Sequence, residues 1–185
     1  MCEYILLYIC CMNYEKYRYI FPPRPKNAVP VTELDYYESR GKYLAKPKRN
    51  GSNSVIFLHK DTMLVNNRHN GELTRFNIGD EVRSLYKGNG WMVLNGEYLN
   101  KNQNNEFGAF NHKLLLFDIL VYNGVYLLGT TFEERINMIY SLYGEETYKD
   151  PYLNQISDNI FSVKSFYTDF KTIYDEITPI PLYEG

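Results

Sequence analysis

Asn-Gly pairs punctuate the middle of this chain at Asn50-Gly51, Asn70-Gly71, Asn89-Gly90 and Asn123-Gly124. Asn and Gly both tolerate the left-handed backbone of tight turns, so segments between such pairs must be short. The intervening runs read as strands: Tyr43 to Lys46, Ser54 to Leu58, Met63 to Asn66, Trp91 to Leu99, Leu114 to Val121 and Val125 to Leu128. Asn123-Gly124 has the form of a two-residue hairpin turn. Lys48-Arg49-Asn50-Gly51-Ser52-Asn53 reads as a basic strand-turn-strand.

Helical periodicity flanks this β region. Thr32 is placed to cap a helix from Glu33 to Arg40 that Gly41 ends. Phe132, Ile136, Ile139 and Tyr143 recur at helical spacing behind the cap candidates Thr130 and Thr131, with Glu133 and Glu134 at the positive helix end. Phe166, Phe170, Ile173 and Ile177 repeat that spacing. The segment between, Gly144 to Asn159, is polar and broken at Asp150-Pro151, which reads as a surface loop. Thr178 to Gly185 reads as the entrance to a further strand. Strands followed by helices predict an α+β fold with a largely antiparallel sheet.

Composition limits the function classes. At 185 residues the chain fits one domain, and a net charge of −2 gives no global basic field, so contact with nucleic acid must come from a local patch. Cys2, Cys10 and Cys11 have neither disulfide nor zinc spacing, which favours a reducing, cytoplasmic setting. The apolar stretch Tyr4 to Met12 is far shorter than the ~20 residues that span a bilayer, so no membrane partner is expected. His59, His69 and His112 lack ligand spacing, and neither Ser52 nor Cys10 has the His and acid partners of a hydrolase.

The candidate chemistry lies at Lys48. An amine attacks only when neutral, and crowding by Arg49 and Lys46 is expected to lower the pKa of Lys48. Glu97 shares a strand face with Trp91, Val93 and Asn95, so it is either exposed or lines a polar pocket. Phe117 and Asp118 should point to opposite faces of their strand, leaving Asp118 as a carboxylate that needs a partner.

Five ordered segments carry a family resemblance. Lys48-Arg49-Asn50-Gly51-Ser52-Asn53 resembles motif I of the covalent nucleotidyltransferases, the superfamily of ATP-dependent DNA ligases, RNA ligases and mRNA capping enzymes. Asn53, where DNA ligases and capping enzymes usually carry arginine, is similar to the second RNA-ligase family. Asn66-Asn67-Arg68-His69 resembles motif Ia, Gly96-Glu97 motif III, Leu114 to Leu120 motif IIIa with Glu134-Arg135 after it, and Glu184-Gly185 the beginning of motif IV. Pro47 departs from the pattern.

The resemblance implies an α+β nucleotidyltransferase fold, ATP-grasp-like, with mainly antiparallel sheets flanked by helices and incomplete at its C-terminus. Residues 1–25 would be an N-terminal extension and 26–185 the adenylation domain, without the remainder of motif IV and motif V. It implies Lys48 as the nucleophile that forms lysyl-AMP, and Asn50, Gly51, Asn53, Arg68, Glu97 and Phe117 as nucleotide-binding residues, Phe117 stacking on the base. Glu97 and Glu184 would attend the metal. ATP and Mg²⁺ are the implied cofactors and RNA or nicked DNA ends the partners, with no stable protein partner implied. A capping guanylyltransferase and a binder without catalysis are the alternatives, and the missing motif V lysines predict a chain defective in catalysis by itself.

Overall fold

The computed structural model describes residues 28–100, 104–105, 108–109 and 111–183. The expected N-terminal extension and Glu184 lie outside these described residues. In chain order, a 3-10 turn, Val31–Glu33, leads into α1 (Leu34–Ser39). β1 (Ser52–His59), β2 (Thr62–Asn66), α2 (Gly79–Arg83) and β3 (Met92–Leu99) follow. Next come β4 (Asn104–Asn105), β5 (Gly108–Ala109), β6 (Lys113–Tyr122), β7 (Val125–Tyr126) and α3 (Phe132–Tyr143). β8 (Glu146–Thr147), β9 (Leu153–Gln155), β10 (Ile160–Val163) and α4 (Phe170–Ile177) complete the described chain.

One eight-stranded sheet dominates, in the order β2-β1-β3-β6-β10-β9-β8 with β7 paired to β6. All its neighbours are antiparallel except β6 and β10, so the fold is α+β with a mainly antiparallel open sheet. Alternation along each strand divides its side chains between two layers. On one face Ile56, Leu58, Met92, Leu94, Leu114, Leu116 and Ile119 pack against Val82 of α2 and against Ile136 and Ile139 of α3. On the other, Val55, Phe57, Val93 and Val121 form one apolar cluster, while Leu99, Leu115, Phe161 and Val163 pack on Ile173 and Ile177 of α4. Side chains of opposite character, Asn53, Asn95 and Glu97, stand on the strands between those two clusters.

Local chemistry explains several elements. Thr131 caps α3 in a reciprocal box: its hydroxyl accepts from the Glu134 N–H at 3.2 Å and the Glu134 carboxylate accepts from the Thr131 N–H at 2.7 Å. Asn123 and Gly124 both take positive φ, 51° and 78°, and close the β6–β7 hairpin. Thr32, by contrast, makes no cap; Glu33 occupies the N-cap of α1 without a side-chain bond. The segment Tyr43 to Lys46 contributes a lone bridge, Ala45 to Phe166, rather than a strand. Phe166 therefore stands outside α4, whose start is set by the left-handed Asp169 at φ 65°. Nor is Asn50-Gly51 a hairpin turn, since β1 turns back into β2 at Lys60, φ 37°.

The largest departure from expectation is Gly144 to Asn159, which supplies β8 and β9 instead of a surface loop. Asp150 within it is fully buried. Its carboxylate accepts from the Arg49 guanidinium, from the Tyr183 hydroxyl at 2.9 Å and from the Tyr152 N–H at 2.9 Å. Arg49 also lies over the Tyr183 ring, 4.3 Å from its centroid, and their backbones form an antiparallel bridge. Three distant parts of the chain meet at this buried charge pair. Because both partners are shielded from water, removing one leaves a buried charge facing lost solvation and lost attraction. Asp150→Ala should lower stability by about 3–5 kcal/mol, read as a lower urea midpoint at unchanged slope.

Candidate nucleotide site

Between the two apolar clusters lies a cavity of about 730 Å³. Three strands build its floor through register. Asn53 of β1 pairs with Glu97 of β3, which pairs with Leu115 of β6, so these residues form one row across the sheet. Two residues along, Val55, Asn95 and Asp118 form the next row. Phe117 falls between the rows because the ladder skips it: Gly96 pairs with Leu116 and Asn95 with Asp118. Such a bulge re-aims side chains. Leu116 and Ile119 pack in the same core layer, so the regular alternation that would put Phe117 and Asp118 on opposite faces is broken here. Asp118 does find its partner, a two-bond contact from Arg135 at 2.7 and 3.2 Å.

All seven described residues expected at a nucleotide site line this cavity: Lys48, Asn50, Gly51, Asn53, Arg68, Glu97 and Phe117. They come from separate stretches of sequence, which the sheet and two loops assemble. Gly51 lies so close to β3 that a Cβ would stand 2.6 Å from the Tyr98 carbonyl oxygen, and its N–H donates to Glu97 Oε1 at 3.0 Å. Only glycine permits this approach. Gly96 is held for the same reason, a Cβ there meeting the Leu115 carbonyl oxygen at 2.8 Å. Asn53 Nδ2 donates to Asn95 Oδ1 at 3.0 Å. Asn67 folds the loop that carries Arg68, its Oδ1 accepting from the N–H groups of His69 at 2.8 Å and Gly71 at 3.1 Å.

The surroundings of Lys48 differ from the expected crowding. Arg49 does not crowd it, because the Arg49 guanidinium is turned to Asp150 and Tyr183. The cavity-lining amine that burial affects is Lys46, pushed down to about 7, with the Asp118 charge opposing that shift. Its Nζ donates to the Phe117 carbonyl oxygen at 2.8 Å and lies 4.9 Å from the centre of the Phe132 ring. Burial holds Glu97 above the usual carboxylate range, opposed by the Gly51 N–H and the charges of Lys48 and Arg68. Lys48 and Arg68 are both exposed, so the site presents two solvated cations beside one half-buried carboxylate.

Sequence reasoning named Lys46 only as a neighbouring cation and left Asn95 and Asp150 without roles. Asn95 had a readable signal, its place on the Glu97 face of β3. Asp150 had none, since its partner Arg49 is 101 residues away. The histidines serve other contacts: His59 stacks on Trp91 at 4.9 Å, His112 Nδ1 meets the Tyr98 hydroxyl at 2.8 Å, and His69 stands beside Arg68.

No family model and no curated protein matches the chain. Among solved structures it is similar to the ligase domain of LigD from M. tuberculosis, with 18% identity and TM-score 0.41, covering 54% of this chain and 36% of that one. A mycobacterial DNA ligase D complexed with ATP and MES gives 16% identity and TM-score 0.41 over the same shares. The chain thus spans about a third of the length of these structures. Assignment of the cavity rests on its own geometry.

The Lys46 amine has a lower pKa in the folded chain than in the unfolded one. The unfolded chain therefore binds the extra proton from about pH 7 up to its ordinary value, and stability from this group rises with pH across that interval. Below about pH 7 the desolvation cost is present in full. Lys46→Met should raise the melting temperature more at pH 6 than at pH 9; an equal shift at both would mean that Lys46 carries no burial cost.

Proposed function

We propose that residues 26–185 form the adenylation domain of an ATP-dependent polynucleotide ligase that acts on RNA or nicked DNA ends. One observation supports this reading above the rest: residues that the motif resemblance selects, scattered from Lys48 to Phe117, line a single cavity of a volume usual for a small-molecule site.

In this reading the neutral Lys48 amine attacks the α-phosphorus of ATP. An N–P bond forms, the bond to the bridging oxygen breaks, and pyrophosphate leaves with the electron pair. A 5′-phosphate end then displaces Lys48 and takes the AMP. A 3′-hydroxyl displaces AMP in turn and closes the phosphodiester. Arg68 serves the phosphates, Asn50, Gly51 and Asn53 position the nucleotide against β1, and Phe117 supplies the ring on which the base stacks.

Among the described residues Glu97 is the one carboxylate that lines the cavity, and no group of three His, Cys, Asp or Glu is gathered to hold a metal. That donor set fits Mg²⁺, which keeps most of its waters and shares the phosphates of a nucleotide. When bound, the ion would neutralise phosphate charge as the bridging bond breaks.

A guanine nucleotide is the second reading, favoured by Lys46. Its amine donates to the Phe117 carbonyl oxygen at 2.8 Å, beside the ring proposed to stack on the base, and a 6-oxo purine offers an acceptor oxygen where adenine offers an amino group. Competition between unlabelled ATP and GTP separates the two.

Incubation of a chain that also carries motif IV and motif V with labelled ATP and Mg²⁺, followed by mapping of the acid-labile adduct, should place the label on Lys48 alone, and Lys48→Ala should abolish it. Label on Lys46 would overturn the assignment of the nucleophile. Phe117→Ala should weaken nucleotide binding by about ten- to a hundredfold, as expected for loss of a stacked ring. Unchanged affinity in a folded Phe117→Ala variant would remove the stacking role.

A further inference from the structure

α1 buries none of its residues although it carries Leu34, Tyr36 and Tyr37. Its hold on the body of the protein includes the Glu38 carboxylate, which accepts from the Phe170 N–H at 2.8 Å. Tyr36 and Tyr37 meet edge to face at 5.5 Å, and Tyr37 meets Tyr43 in the same way at 5.0 Å. Gly41, at φ 60°, turns the chain between helix and Tyr43. The result is a continuous row of three tyrosines whose outer members are 57% and 49% exposed. Tyr167, next to Phe166 in the bridge to Ala45, is 54% exposed and lengthens the aromatic surface.

Cations accompany the rings. The Arg40 guanidinium lies 5.8 Å from the centre of the Tyr36 ring, and Lys42 is exposed. The nearby carboxylates of Glu38 and Glu133 already accept hydrogen bonds, from Phe170 and Tyr167. Asp35 follows the helical spacing onto a face about 100° from Tyr36 and about 140° from Arg40. From Tyr43 the chain runs three residues, on the order of 10 Å when extended, to Lys46 in the cavity wall.

We propose that Tyr36, Tyr37 and Tyr43, with Arg40 and Lys42, form a stacking track for a single strand of nucleic acid whose end enters the cavity. Half-exposed rings such as Tyr36 and Tyr43 accept any base, and neighbouring cations follow the phosphates, which is the chemistry of sequence-tolerant single-strand binding. The Arg40 and Lys42 cations beside the rings match the phosphates of a strand whose bases stack on them. The entry of the strand into the cavity rests on the function proposed above, whereas the track itself does not.

Fluorescence anisotropy with labelled ten-nucleotide oligo(U) and oligo(dT) tests the track on the 185-residue chain. The double substitution Tyr36→Ala with Tyr43→Ala should raise the dissociation constant about ten- to a hundredfold. Tyr36→Phe with Tyr43→Phe should retain affinity, because stacking needs the ring alone. Lys42→Ala should flatten the salt dependence by about one phosphate contact. Both tyrosines are half exposed, so the melting temperature should hold in the double variant, and ATP affinity with it. Tighter binding of oligo(U) or of oligo(dT) identifies the nucleic acid. No binding by the wild-type chain, binding unchanged in the alanine double variant, or self-association that the double variant abolishes would each overturn the proposal. Oligonucleotide binding without nucleotide binding would sink the function proposed above and leave the track standing.

Discussion

A buried charge pair organises the candidate site from behind. Arg49 follows Lys48 directly, and its guanidinium is committed to Asp150 and Tyr183 in the interior. Neighbouring residues on an extended segment project to opposite sides, so anchoring Arg49 inward favours Lys48 outward, toward the cavity. The pair also explains why a polar segment with Asp150-Pro151 folds back into the sheet. β9 and Tyr183 are drawn together around one carboxylate that would otherwise be an unpaired charge in the core. Desolvation makes such pairs weak sources of net stability. Their value here is geometric, because few alternative packings satisfy both charges.

The sheet contributes a second constraint. An uninterrupted apolar face would close over its own strands, yet this face is divided into two clusters by Asn53, Asn95 and Glu97. The bulge at Phe117 introduces an aromatic ring at that division. It also leaves the Phe117 carbonyl oxygen to Lys46. β10 covers β6 as far as Leu116 and β7 begins to pair at Val121, so among the described residues the stretch between has no strand neighbour on that side. Lys46 fills part of that gap. The cavity thus lies where this face of the paired strands turns polar, beside the stretch of β6 left open on one edge.

What could be read from the sequence follows the range of the interaction. The run of β3 and the start of α3 behind the cap candidates Thr130 and Thr131 are encoded within a few residues, and the structure has both, with Thr131 as the cap. β9 and β10 have three and four residues and carry Asn154 and Ser162 in buried positions, which erases the period-two pattern. Phe166 mimicked a helical position because its spacing to Phe170 is four, but Asp169 takes a left-handed conformation that spacing cannot reveal. The Arg49–Asp150 pair and the desolvation of Lys46 depend on residues far apart in the chain. No local pattern carries them.

Burial acts on the two charged groups of the cavity wall in opposite chemical directions with the same electrostatic result. It lowers the Lys46 amine and raises the Glu97 carboxyl, so each is driven toward its neutral form. A protein selected for stability alone would remove both, since neither is matched by a fully compensating partner. Both line the cavity together with the exposed cations Lys48 and Arg68, so groups shifted by burial and groups open to solvent share one wall. A polyanion would reverse the balance at Lys46, restoring its proton and drawing it toward the ordinary amine value, so that binding and proton uptake become one event.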